Sequence, residues 1–309
     1  MAGLNKFWKK KTLLLKAETT AGVDSNPTGA LNAVRASDVS ITLEGQEISA
    51  PVDSDFYQND DVAWTNRTYT FSGKILMYPS GAAGTPPNYA SLLLASNHAE
   101  VTVAATSVTY TPVSGSSNTA TIYLDIDGVL YKAVASKGTV GFTNSIGSFT
   151  EMNFEFKGTY LQPVDGTVAP VTLPSGTPLV NSKDNSELSV HGLLVDGIEF
   201  NLDTNQTNET RESTETFAVA NLDRKANASM VCWADAIATF NPFAINEAGT
   251  QDVIYWQNGT AAGQIIRFEL PKAQLGLPQP QDVDGVSGYG IDIIPKPNTG
   301  DDEYKIIFM

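Results

Sequence analysis

The sequence predicts an all-β fold with minor α content, arranged as two tandem modules that each carry a short flanking helix. Apolar and polar residues alternate in segments rich in β-branched and aromatic residues, such as 39–43, 69–77 and 152–156. Helical patterns are few. The order of segments before residue 163 also recurs after residue 183, which indicates a duplication.

Individual turns and helices follow from local sequence chemistry. Asp127-Gly128 separates the apolar runs 123–126 and 129–133, which is the pattern of a two-residue hairpin turn. Residues 87–97, with Pro87 near the start, predict a short helix, and residues 241–248 predict its counterpart.

The recurrence sets the predicted domain organisation. Residues 1–37 form an N-terminal arm and first strand, 38–162 the first module, 163–183 a linker and 184–309 the second module. The linker is predicted from its density of proline and glycine.

The two modules share the order of their predicted elements but have few identical residues. Val39 matches Ile198, and Arg67 matches Arg224, each opening a strand region. The polar stretch 44–66, long for a connection between strands, matches 201–216. Similar strand spacings also arise by chance in unrelated β domains, so that alternative stays open.

Composition excludes several classes of protein. With 41% hydrophobic and 17% charged residues, the chain can bury a core. The net charge of −15 argues against a free nucleic-acid binder, which would carry a basic patch. The single cysteine, Cys232, excludes an intrachain disulfide, and no apolar run is long enough for a spanning helix.

Catalytic and metal-binding patterns are missing from the sequence. The two histidines, His98 and His191, have no supporting motif, and no Cys/His cluster has metal-ligand spacing. We therefore predict no enzyme activity, no metal and no cofactor. A hydrolase that uses Asp/Glu pairs remains an alternative, because sequence does not give the distance between acids.

Three stretches resemble the tail tube (major tail) proteins of long-tailed bacteriophages. They are residues 13–24 with 27–30 and 39–42, then 108–114 leading to 122–128, then 137–140 followed by 154–160. The resemblance is strongest between residues 13 and 160.

The resemblance implies tail-tube-type β-sandwich or β-barrel modules whose sheets join side by side into closed rings. The rings stack into a hollow tube in the virion, a conduit for genome DNA ejection, and the protein is made in the host bacterial cytoplasm. Its partners would be itself, the tape measure protein and the tail terminator and distal tail proteins. DNA would pass through the lumen without sequence-specific binding, and no membrane is involved.

Two fused modules change the expected stoichiometry. Where six single-module chains would form a ring, three chains of this length suffice, which predicts a pseudo-hexameric homotrimer. The duplicated form also favours a sheathless siphophage tail.

The resemblance further assigns contacts between rings to the N-terminal residues and the 44–66 stretch. The candidate residues are Trp8, Lys9, Lys10, Lys11, Asp53, Asp55, Phe56, Tyr57, Asp60, Asp61 and Trp64. Alternatively, the aromatic residues of the stretch pack on their own module. A carbohydrate-binding or adhesin-like β-sandwich, with these aromatic residues as a sugar platform, is the rival function.

Overall fold

A computed structural model describes residues 6–166, 171–173 and 176–309. These residues form twenty strands and two short helices, so the prediction of an all-β fold with minor α content is confirmed. Parts of the predicted arm and linker, including Pro170 and Pro174, lie outside the described residues.

The first half of the chain contains nine strands and one helix. They are β1 (Lys11–Ala17), β2 (Ala33–Val34), β3 (Ala36–Ala50), β4 (Asp61–Leu76), α1 (Ala90–Ala95), β5 (His98–Val103), β6 (Ser107–Pro112), β7 (Ala120–Ile126), β8 (Val129–Ser145) and β9 (Glu151–Asp165). β9 continues to Asp165 and so includes the first three residues of the predicted linker, 163–165.

The second half contains eleven strands and one helix. They are β10 (Ser186–Val190), β11 (Leu193–Val195), β12 (Gly197–Asp203), β13 (Gln206–Glu212), β14 (Phe217–Arg224), β15 (Asn227–Trp233), α2 (Pro242–Glu247), β16 (Gln251–Asn258), β17 (Ile266–Leu275), β18 (Gln279–Val283), β19 (Val286–Pro295) and β20 (Lys305–Phe308). The side chain of Asn241 caps α2 by accepting from the Ala244 N–H.

Strand pairing repeats between the two halves, and every pair is antiparallel. In the first half the strands pair in the order β2–β1–β7–β8–β9–β4–β3. In the second half the order is β11–β10–β16–β17–β19–β15–β12. Each strand of one series therefore has a counterpart at the same place in the other.

The registers extend this correspondence to single residues. Val39 lies within the irregularity of β3 between Ser37 and Ser40, and Ser40 next to it lies opposite Ser72 of β4. In the second half Asn201 lies opposite Ser229, and Phe200 precedes it. With Arg67 matched to Arg224, Ser72 matches Ser229, and the registers then make Phe200 the counterpart of Val39. This is two residues from Ile198, the match made from sequence order.

One hydrophobic core runs through both halves. Side chains that alternate along the strands point into it, as Met152, Phe154 and Phe156 do along β9. Phe142 of the first half lies with its ring centroid 5.0 Å from that of Phe268 of the second half. The halves are thus packed together as well as paired.

The polar stretch 44–66 is mostly strand. β3 continues to Ala50 and β4 begins at Asp61, so only residues 51–60 form the loop. The prediction of a long irregular connection was wrong because cross-strand pairing, for example Glu47 with Trp64, continues beyond the core. We call residues 44–66 the first hairpin.

Candidate assembly interface

The two halves are joined by an internal seam between β12 and β8. Asn201 lies opposite Thr143, and the pairing runs from Glu199 to Asp203 on β12. Phe200 and Leu202 are buried there. The Asn144 side-chain amide donates to the Phe200 carbonyl oxygen at 3.2 Å, so side-chain as well as backbone groups stabilise the seam.

A second connection uses the C-terminal strand. β20 pairs with β17 of its own half and with β6 of the first half. Beside it, the His98 ring accepts at Nε2 from the Tyr304 hydroxyl, 2.9 Å away, because Nδ1 faces the Leu93 carbonyl oxygen and must donate. Burial lowers the pKa of His98 to about 4, so this joint holds a neutral imidazole.

Several strands pair on one side only within the part of the chain that the structure describes, among them β2, β5 and β11. Two further open edges, on β3 and β18, bear on assembly. Among the described residues, β3 pairs only with β4, and β18 pairs only with β19. β3 is the counterpart of β12. The side chains of Ile41 and Leu43 on β3 are half-buried and exposed, whereas their counterparts Leu202 and Thr204 are buried. The first half thus leaves uncovered an edge that the second half covers.

The outer edge of β18 matches the part of β8 that forms the internal seam. Thr143 lies opposite Glu151, which lies opposite Leu76 of β4. Gln281 lies opposite Gly288, which lies opposite Trp233 of β15. Leu76 and Trp233 are counterparts, so Gln281 is the counterpart of Thr143. Both halves therefore carry the same two edges.

The first hairpin projects from the sheet and is exposed. Its loop carries four of the predicted contact acids, Asp53, Asp55, Asp60 and, at the start of β4, Asp61. The aromatic side chains of Phe56, Tyr57 and Trp64 are also exposed and do not pack on their own module.

The second hairpin, formed by β13 and β14 (residues 206–224), occupies the counterpart position but is packed down. It forms its own two-stranded sheet and lies against β8 and β9 of the first half. The Gln206 side-chain amide donates to the Ser96 carbonyl oxygen at the end of α1, and the Gln206 N–H donates to Thr139 Oγ1. These contacts fix its position.

The predicted basic residues lie elsewhere. Trp8, Lys9 and Lys11 line a cleft beside the start of β3. Lys11 Nζ donates to the Val39 carbonyl oxygen at 2.6 Å. Val39 is eleven residues from Ala50, or about 35 Å along the strand, so a single chain cannot bring these lysines to the hairpin loop.

Lys10 is held within its own chain. Its ammonium contacts Asp127 in the β7–β8 turn at 3.2 Å, and the Phe7 N–H donates to the same carboxylate. The hydrogen bond from Phe7, aided by Lys10, lowers the pKa of Asp127. The N-terminal residues are therefore folded back onto a turn.

Other site chemistry is sparse. Within residues 6–166, 171–173 and 176–309, no cluster of three or more His, Cys, Asp and Glu side chains could hold a metal ion. Over the same residues no helix could cross a membrane. Cys232 is buried, and burial raises the pKa of its thiol to about 11, so it is a core residue.

A comparison with models of known protein families gives a match over nearly the whole chain. The family described as phage tail tube protein matches residues 8–294. The chain belongs to the phage tail tube protein family. The predicted resemblance is thereby confirmed, and this tail tube protein is a structural component of the virion that assembles with copies of itself into a tube. No curated protein matches the chain.

Two features of the tail tube protein escaped sequence reasoning. The outer edge of β18 was not predicted as a contact, because an open edge is a property of strand order in space. Val62 of the first hairpin was not named either, although its alternation with Trp64 along a strand could have indicated it.

Proposed function

We propose that this tail tube protein forms closed rings of three chains, each ring containing six modules, and that the rings stack into the hollow tube through which genome DNA leaves the virion. The observation that carries the proposal is the repeated pairing order joined by the β12–β8 seam. Each chain has one β3 edge and one β18 edge left over, so chains can join head to tail and close.

The internal seam predicts the register between chains. Asn201 opposite Thr143 within the chain corresponds to Ser40 opposite Gln281 of the next chain. Pro280 on β18 has no N–H, so it can offer a neighbouring strand only its carbonyl oxygen. Closing the ring removes both exposed edges, which would otherwise favour aggregation.

Charge supports the role as a conduit. Each chain carries −15, so three chains carry −45 (3 × −15). Every contact between a phosphate and a basic side chain adds salt-dependent affinity, and a wall of net negative charge limits such contacts. The DNA then passes without sequence-specific binding, and no catalysis or cofactor is needed.

The contacts between stacked rings involve two exposed regions, the N-terminal lysines and the loop of the first hairpin. We infer that Lys9, with Lys10 and Lys11, meets the loop acids of the first hairpin in a neighbouring ring, and that the tape measure, terminator and distal tail proteins meet the tube inside and at its ends. Reversing the three lysines to glutamate should stop tube growth but leave single rings. Normal tubes from this variant would refute the assignment.

Negative-stain electron microscopy of the purified chain, before and after concentration, tests the function. Rings or tubes with three-fold or pseudo-six-fold symmetry are expected. Dispersed monomers at every concentration, combined with glycan binding in a screen, would favour the carbohydrate-binding rival. Loss of glycan binding on replacing Phe56 and Tyr57 with alanine would then complete that case.

A further inference from the structure

The two hairpins occupy counterpart positions but have different surroundings. Asn208 lies opposite Asn221, and Thr210 opposite Val219, in the second hairpin. In the first hairpin Glu47 lies opposite Trp64, and Ser49 opposite Val62. The separations that relate β3 to β12 and β4 to β15 (161 and 157 residues, 201 − 40 and 229 − 72) also relate these pairs. Val62 is thus the counterpart of Val219, and Trp64 of Asn221.

One face of the second hairpin is covered by the first half of the chain. Val219 is 4% exposed, and it shares its face with Asn208 and Thr210 because directly opposed residues project to the same side. The counterpart face of the first hairpin is open, since Val62 is 53% and Trp64 52% exposed. The same position is therefore buried in one hairpin and exposed in the other.

The surface beneath the second hairpin is the solvent side of the β8–β9 pair. Gln206 and Asn208 line one pocket with Lys137, Glu155 and Lys157. Lys137 lies opposite Lys157, and in the second half Gln274 lies opposite Ile294. Ile294 is thus the counterpart of Lys157, and the corresponding surface lies on β17 and β19.

The chemistry of this contact changes on both sides together. Within the chain, Gln206 and Asn208 of the hairpin share a pocket with Lys157 on the sheet. The Asn221 side-chain amide donates to both of these hairpin side chains, so the whole contact is polar. At the counterparts of Asn221 and Lys157 stand Trp64 and Ile294, and Ile294 is 44% exposed. Exposed Leu277 lies just after the end of β17, which pairs with β19 beside Ile294. An apolar hairpin face and an apolar sheet face are what an association between separate chains needs, because burial of apolar area drives it.

We propose that the first hairpin of one chain lies across β17 and β19 of the next chain in the same ring, with Val62 and Trp64 against Ile294 and Leu277. The contact rests on the proposed ring and repeats, between chains, the contact that the second hairpin makes within the chain. Trp64, which the family resemblance assigns to contacts between rings, belongs on this basis to a contact within a ring, and the loop 51–60 is left to face the neighbouring ring.

A pair of matched variants tests the face. Val62→Asp should abolish rings, whereas Ile48→Asp should leave them, because Ile48 is 50% exposed on the opposite face of the same hairpin. Both monomers should melt like the unmodified chain, as followed by circular dichroism. Equal loss of rings in both variants, or loss only with Ile48→Asp, would overturn the proposal.

Cross-linking then identifies the neighbour. Val62→Cys combined with Ile294→Cys, in assembled protein treated with a short bismaleimide, should give covalent dimers and trimers and nothing larger, because a ring closes at three chains. The unmodified chain is the background control, since Cys232 is buried. A ladder beyond three chains would place the hairpin between rings, and absence of cross-links in intact rings would also contradict the proposal. Failure of the unmodified chain to form rings would instead refute the proposed function on which it rests.

Discussion

β12 and β3 hold the same place in the two halves of the chain, yet one is an interior strand and the other an edge. On β12, Phe200 and Leu202 are buried because β8 lies alongside. On β3, burial falls from Val39 through half-buried Ile41 to exposed Leu43. The difference supports the proposal that β3 gains a neighbour like β8 when chains assemble into a ring.

The largest effect should come from placing a charge at Leu202 on β12 or at its counterpart, Ile41 on β3. Leu202→Asp buries an unpaired carboxylate in the internal seam and should lower the free energy of unfolding by about 4 kcal/mol. Ile41→Asp, the same change at the counterpart, should leave a folded monomer that forms no rings. Denaturant melts and particle mass by analytical ultracentrifugation measure the two effects. Rings formed by the Ile41→Asp variant would contradict the comparison.

Acid should weaken the second connection between the halves, where the His98 ring accepts from the Tyr304 hydroxyl. The pKa of His98 is about 4 in the folded chain against 6.5 for an ordinary histidine, so the unfolded chain binds the proton first. Stability is therefore full above about pH 6.5 and declines as the pH falls towards 4, by about 3 kcal/mol in total. Denaturant melts across this range measure it.

His98→Gln serves as the control for that experiment. It removes the titrating group, so the part of the pH dependence between 6.5 and 4 that belongs to His98 should disappear, while the titration of carboxylates persists. An unchanged pH profile in the variant would show that His98 is not the group responsible.

The smallest effects distinguish the two hairpins in the isolated chain. Val219→Ala removes two buried CH₂-sized groups and should cost about 1.5 kcal/mol. Val62→Ala at the exposed counterpart should change the monomer by less than about 0.5 kcal/mol. Urea melts of the two variants at a protein concentration below that of assembly give the comparison. Equal costs would mean that the two valines have similar surroundings.

Much of the fold could be predicted because it depends on local patterns. Alternation predicted β9, Asp127-Gly128 predicted the β7–β8 turn, and the short helices fell within residues 87–97 and 241–248. The predicted contact residues are exposed on the first hairpin or lie near the start of β3. Their contacts with other chains stay predictions.

What the sequence could not provide depends on strand order and register. The match of Val39 to Ile198 is two residues from the registered one because side chains alternate with a period of two, so a shift of two residues leaves the apolar pattern unchanged. The β18 edge could not be found for a related reason. Only the pairing with β19 shows that Gln279 to Val283 correspond to the seam-forming part of β8.

Tracing the strands in a cryo-electron microscopy reconstruction of the assembled tube tests the central claim most directly. The account predicts three chains per ring, with β3 of each chain paired antiparallel to β18 of the next and Ser40 opposite Gln281. A ring of six chains, or a β3 edge that faces solvent or pairs with another strand, would contradict it.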